Sequence, residues 1–144
     1  MAAYSNVKVR DEEPIIIRSS DFMKTNKDSF ETNPDFIKML SYGEKVYIFF
    51  SEGALKGESL LGTERKIRYS RVAQVCKEDK IEEYADNKEW NTFSKTRILC
   101  TLQRGDGPLM VYDVITSVSD VVTITDTNSK QNIDVIFATF TTPK

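Results

Sequence analysis

Residues 67–76 read IRYSRVAQVC, an alternation that fits one β-strand with Ile67, Tyr69, Ala73 and Val75 on a common face. Arg71 stands in the middle of that face. Its guanidinium must reach water at the strand's edge or meet a buried acid, because an unpaired buried charge costs more than the surrounding packing returns. A buried ion pair is the expectation, with Glu52 as the acid. The strand ends on Cys76, and the chain holds one other cysteine, Cys100. These thiols pack as small buried hydrophobes, or bond to each other if neighbouring strands bring their Cα atoms within about 7 Å.

From Pro34 onward, short apolar, β-branched and aromatic runs alternate with polar turns, the pattern of consecutive antiparallel strands. About six strands are expected. The first covers Phe36 to Leu40, and the second Lys45 to Phe50, whose unbroken apolar character implies burial on both faces. The third covers Ile67 to Cys76 and the fourth Thr92 to Cys100. After the turn Arg104-Gly105-Asp106-Gly107-Pro108, a fifth places Met110, Tyr112, Val114 and Val118 on one face and Asp113, Ser117 and Ser119 on the other. The sixth covers Val135 to Phe140, apolar on both sides. Residues 77–90, KEDKIEEYADNKEW, set three lysines against six carboxylates and read as a short helix or a solvated acidic loop. Before Pro34 only Ile15-Ile16-Ile17 is strand-like. The fold class is therefore all-β, and a sandwich, a barrel and propeller blades all satisfy the periodicity.

Composition closes several functional classes. The 144 residues, 40% hydrophobic and 10% aromatic, suffice for the core of one domain. A net charge of -2 offers no basic field to a phosphate backbone, so no nucleic-acid partner is expected. The chain has no histidine, which excludes imidazole acid–base catalysis, Ser-His and Cys-His nucleophiles and most zinc sites. No phosphate-cradling glycine loop or metal-spaced cluster stands out, so neither an enzyme nor a cofactor is expected. The opening MAAYSNVKVRDEEP carries charges where a secretory leader has its apolar core. There is no Asn-x-Ser/Thr acceptor, and no stretch approaches the roughly 20 apolar residues of a membrane span.

Four motifs in order carry a resemblance: FIKMLSYGEKVYIFFSE (36–52), YSRVAQVCKED (69–79), WNTFSKTRILC (90–100) and VIFATFTTP (135–143). The succession resembles the semaphorin (Sema) domain, the extracellular β-propeller of semaphorins and their relatives. The family pattern Ser-Arg-(Val/Ile)-Ala-x-Val-Cys-Lys-x-Asp is met at Ser70, Arg71, Val72, Ala73, Val75, Cys76, Lys77 and Asp79. A second, running from a tryptophan to Lys-x-Arg-x-x-Cys, is met at Trp90, Thr92, Phe93, Lys95, Arg97 and Cys100. The loop EGALKGESLLGTERK (52–66) departs from the family in lacking Asn-Cys-Gly, and Thr96 replaces the usual alanine.

The resemblance implies a fragment of a seven-bladed β-propeller, about one complete four-stranded blade plus part of the next. Residues 14–144 would form the partial domain and residues 1–13 a polar N-terminal segment. It also implies that Cys76 and Cys100 each bond to a cysteine further along the family's chain, past the Phe-Thr-Thr-Pro segment, which leaves both as orphans here. The implied function is that of a ligand for a plexin-type receptor in cell guidance and immune signalling, homodimeric at full length. The parent protein would be secreted or held at the cell surface, outside the cell. A truncated or inactive remnant, and a virus-encoded secreted decoy, fit the same residues.

Individual residues carry further expectations. Trp90, just ahead of a strand, reads as an anchor that holds the acidic segment onto the sheet. The stretch 56–71 gathers Lys56, Arg65, Lys66, Arg68 and Arg71 against Glu58 and Glu64. Lys56, Arg65, Lys66 and Arg68 are therefore candidates for receptor contact by charge complementarity, although a solvated loop accounts for the same composition. Arg104-Gly105-Asp106 spells a tripeptide read by many integrins, which use the aspartate as a metal ligand and the arginine as a distant cation. Turn chemistry already accounts for Gly105-Asp106-Gly107-Pro108.

Overall fold

In the computed structural model the described residues are 7–10, 15–18, 23–25, 29–30, 34–53, 68–80 and 88–142. The chain begins with β1 (Val7–Arg10), β2 (Ile15–Arg18) and β3 (Met23–Lys24), then β4 (Asp35–Tyr42), β5 (Lys45–Gly53), β6 (Arg68–Cys76) and β7 (Ser94–Ile98). There follow β8 (Cys100–Leu102), β9 (Met110–Tyr112), β10 (Val114–Val118), β11 (Val122–Thr125), β12 (Asn132–Val135) and β13 (Ala138–Thr141). The sheets are β1-β2-β3, β4-β5-β6-β7, β8-β9, β10-β13 and β11-β12, and the paired strands within them run antiparallel. No α-helix occurs among the described residues.

The β4–β7 sheet is the middle of three layers. Val46, Ile48 and Phe50 lie opposite Val75, Ala73 and Arg71. The apolar members of this face close over Ile16 and Met23 of the N-terminal sheet, together with Phe30 and Trp90. Tyr47 and Phe49, the alternate residues of β5, join the other face with Leu40, Val72 and Ile98, against Ile115, Val118 and Phe140 from β10 and β13. The unbroken apolar run of β5 is thus a strand buried on both sides. Phe50 is fully enclosed and meets Phe30 edge to face, with ring centroids 5.3 Å apart; burying such a side chain contributes about 1.5–3 kcal/mol. A bulge between Phe36 and Lys38 shifts the alternation, so that Phe36 and Met39, three apart, share the face with Phe30 while Ile37 and Leu40 share the other.

Trp90 and Arg18 fasten the N-terminal sheet to this core. The indole N–H of Trp90 donates to the Ile16 carbonyl at 3.1 Å. The Arg18 guanidinium lies 5.0 Å from the Trp90 ring centroid and donates to the carbonyls of Lys77 and Asp79. Within the polar segment 1–13, Val7–Arg10 is itself a strand paired with Ile15–Arg18.

Several strand limits differ from the sequence expectation. The fourth strand stops at Ile98, and Cys100 opens a separate hairpin. The fifth run breaks at Asp113, which is buried rather than solvent-facing. Ile115, on the same face as Asp113, is the buried residue of β10, and a register shift between Ile115 and Ser117 brings Val118 to that side as well. The sixth breaks at Ile136 and Phe137, which are 42% and 61% exposed. The β11–β12 hairpin was not anticipated, although Val122-Thr123-Ile124-Thr125 alternates cleanly before the Asp126-Thr127-Asn128-Ser129 turn. Residues 81–87 of the acidic segment, and Ile67, lie outside the described residues.

Candidate interaction site

Glu52 and Arg71 meet inside the central sheet. Register sets Glu52 opposite Tyr69 and Arg71 opposite Phe50, so the two occupy diagonal positions on neighbouring strands. Arg71 Nε lies 2.6 Å from Glu52 Oε1, with side chains 6% and 0% exposed. From β7, Lys95 Nζ donates to the same oxygen at 2.6 Å and sits 5.9 Å from the Phe30 ring centroid. One carboxylate thereby ties β5, β6 and β7 together.

A second polar knot joins the central sheet to β10. Ser70 Oγ donates to the Asp113 carbonyl at 2.6 Å and accepts from the Ile115 amide at 2.7 Å. The Arg97 guanidinium lies 3.6 Å from the Tyr69 ring centroid and 3.0 Å from Asp113 Oδ2. A third knot closes the end of β6: Asp79 Oδ2 accepts from the Thr92 amide and hydroxyl at 2.9 and 2.8 Å, and Thr92 Oγ1 accepts from the Cys76 amide at 2.9 Å. Arg68 is held at the start of β6 by Asp35, 2.9 Å away, and by the Ser51 carbonyl at 2.8 Å. Most of the charged and hydroxyl side chains in the two central motifs are therefore committed to internal contacts.

Cys100 is exposed and Cys76 is partly buried, both as free thiols. The β6–β7 register runs from Ser70 opposite Ile98 to Gln74 opposite Ser94. It leaves the two cysteines at opposite ends of the strand pair, about 26 Å apart by strand rise, so a direct bond between them is excluded. Lys56, Arg65 and Lys66 lie outside the described residues. Arg104, Gly105 and Asp106 form the exposed tip of the β8–β9 hairpin.

A cavity of about 180 Å³ lies between β4–β5 and the β11–β12 region, lined by Leu40, Tyr42, Tyr47, Phe49, Val121, Asp134, Val135 and Ile136. The Tyr42 hydroxyl donates to Asp134 Oδ2 at 2.9 Å, which joins the β11–β12 hairpin to the end of β4, while within the hairpin Thr123 Oγ1 donates to Asp134 Oδ1 at 2.6 Å. The Thr123 bond first, and the Tyr42 bond second, hold the Asp134 carboxyl below its ordinary range. The same Asp134 carboxylate pushes the Tyr42 phenol above its ordinary value.

Sequence reasoning missed Ser70, Asp79, Lys95, Arg97 and Asp113 as polar-knot residues. Asp79, Lys95 and Arg97 stood inside the quoted motifs, but alternation alone could not name their partners. Asp113 was assigned to the solvent face because its neighbours alternate cleanly; only the approach of Arg97 and Ser70 reveals its burial.

A complete four-stranded antiparallel sheet, stacked face to face against the first strands of a second, is the repeating unit of a β-propeller. The chain is a partial semaphorin domain. It is 30% identical over 131 residues to Semaphorin-1A of Tribolium confusum, covering 91% of this chain and 17% of that protein. It is 35% identical over 111 residues to human Semaphorin-6A, covering 76% of this chain and 10% of that protein. Among solved structures it superposes on the extracellular domains of Drosophila Semaphorin 1a with a TM-score of 0.72 and 31% identity, over 95% of this chain and 26% of that one. A chain from the Drosophila complex of Plexin A with Semaphorin 1b matches with a TM-score of 0.62 and 25% identity, over 89% of this chain and 26% of that one. No protein-family model matches the chain.

Proposed function

We propose that the chain is part of a protein-recognition module that works outside the cell as a ligand for a plexin-type receptor, without catalysis. The observation that carries this reading is the likeness to a chain from a plexin–semaphorin complex, over 89% of this chain. The internal commitment of Glu52, Arg71, Lys95, Arg97 and Asp113 supports it, since these residues build a rigid scaffold and leave recognition to rim loops. In this reading Lys56, Arg65 and Lys66 supply charge that speeds encounter with an acidic receptor face, while Arg68, at the start of β6, is paired with Asp35. The full-length protein acts as a homodimer that brings two receptors together.

The test is surface binding of the 144-residue chain to a plexin ectodomain, alongside the triple variant Lys56→Glu, Arg65→Glu, Lys66→Glu. Saturable binding that weakens with salt, and a slower association for the triple variant, are expected. Absence of binding where a longer semaphorin ectodomain binds would overturn the reading for this chain. It would favour the second reading, an inactive remnant, whose support is the apolar surface left open at Leu109, 57% exposed, and Phe137, 61% exposed.

A further inference from the structure

The β10–β13 and β11–β12 pairs are the two halves of one bent hairpin. Between them residues 119–121 on one arm oppose 136–137 on the other. The Ser119 amide donates to the Phe137 carbonyl at 2.8 Å, and the Phe137 amide donates to Ser119 Oγ at 2.9 Å. Three residues set against two bend a paired ladder. The cavity of about 180 Å³ lies at this bend, with Val121 and Ile136 on one wall and Leu40, Tyr47 and Phe49 of β4 and β5 on the other.

Size and charge together limit what fits. Cavities of roughly 150 Å³ lined by Leu, Ile and Phe admit a benzene ring, so this one takes a single aromatic ring and little more. Asp134 is the one charged residue in the lining. Its carboxylate accepts from the hydroxyls of Tyr42 and Thr123, and these bonds hold its pKa low, so it is ionised at neutral pH. No lysine or arginine among the described residues pairs with it: Lys38 is taken by Asp120 at 2.8 Å and Lys45 by Gln74 at 3.1 Å. Each carboxylate oxygen accepts one hydrogen bond and has capacity for another. An uncompensated negative charge beside a ring-sized apolar cavity suits a ligand that is aromatic at one end and cationic at the other, and the faces of Tyr42 and Tyr47 favour a cation nearby.

We propose that this cavity binds a small arylalkylamine, with its ring between the two walls and its ammonium group donating to Asp134. The site does not depend on plexin recognition.

The experiment titrates phenethylamine, a cation at neutral pH, into the full 144-residue chain and follows the side-chain methyl groups by NMR. Saturable shifts are expected at Leu40, Val121, Val135 and Ile136. Phenethyl alcohol has the same shape without the charge and should bind about fivefold more weakly. Butylamine lacks the ring and should shift none of these methyls at the same concentration. Asp134→Asn keeps an oxygen for the Tyr42 hydroxyl but removes the charge, and should bind amine and alcohol alike. Val121→Trp fills the cavity and should abolish binding of both. Amide exchange in β4–β7 must match the parent for both variants, so that a change in binding reports the cavity and not the fold. The comparison of amine with alcohol needs no variant at all. Absence of shifts at these methyls, equal binding of amine and alcohol by the parent, or a preference for the amine that survives Asp134→Asn would each overturn the proposal.

Discussion

Glu52 carries the electrostatics of the central sheet, because it is fully enclosed while two cations converge on one of its oxygens. Glu52→Ala leaves Arg71 enclosed without its acid and is expected to destabilise the domain by about 3–5 kcal/mol, read as a fall in the urea midpoint. The double variant Glu52→Leu, Arg71→Met removes both enclosed charges and should cost markedly less than Glu52→Ala alone, since Lys95 is partly exposed and can turn to water. A Glu52→Ala variant as stable as the parent would mean that the Arg71 guanidinium reaches solvent. At this scale the sequence was informative wherever a residue broke a face. Arg71 sits among apolar neighbours and so announces a buried partner, whereas Asp113 sits in a clean alternation and announces nothing.

Between elements, the β11–β12 hairpin is lightly held, its strand residues exposed except for Val135. The Tyr42–Asp134 bond docks it, with Thr123 holding the Asp134 carboxylate from within the hairpin, and this join depends on pH at both ends. The Asp134 carboxyl is held below its ordinary 3.8, so its contribution is complete above 3.8 and is lost as pH falls through the lowered value. The Tyr42 phenol is raised above its ordinary 10.0, so its contribution is complete below 10.0 and is lost as pH rises through the raised value. Tyr42→Phe should accelerate amide exchange in Val122–Thr125 severalfold at neutral pH while leaving β5 and β6 protected. It should also remove the alkaline loss. Equal exchange in variant and parent would mean that apolar contacts around Val135 and Ile136 hold the hairpin by themselves. The hairpin was open to recognition from its Thr-Ile-Thr alternation and polar turn; its docking residue, Tyr42, was not, because the bond to Asp134 spans 92 positions in the chain.

Over the whole molecule, the two cysteines give the most direct check of the strand arrangement. With Cys100 exposed and Cys76 partly buried at the far end of the same strand pair, Cys100 is expected to react first with a thiol reagent. Mild oxidation should then link two chains through Cys100 without forming a Cys76–Cys100 bond, as mass spectrometry of the digested product would report. An internal bond would require the β6–β7 register to be wrong. Sequence by itself determined the all-β class, the positions of β4, β5 and β6, the double-sided burial of β5 and the demand of Arg71 for an acid, since period-two alternation and the cost of buried charge act within one strand. Only the tertiary structure decided where the later strands break, which side of β10 is buried, and that Asp113 turns inward to Arg97. Those choices rest on contacts such as Ser70 with Ile115, 45 residues apart, whose energy belongs to the stacking of one sheet on the next and leaves no period in the chain.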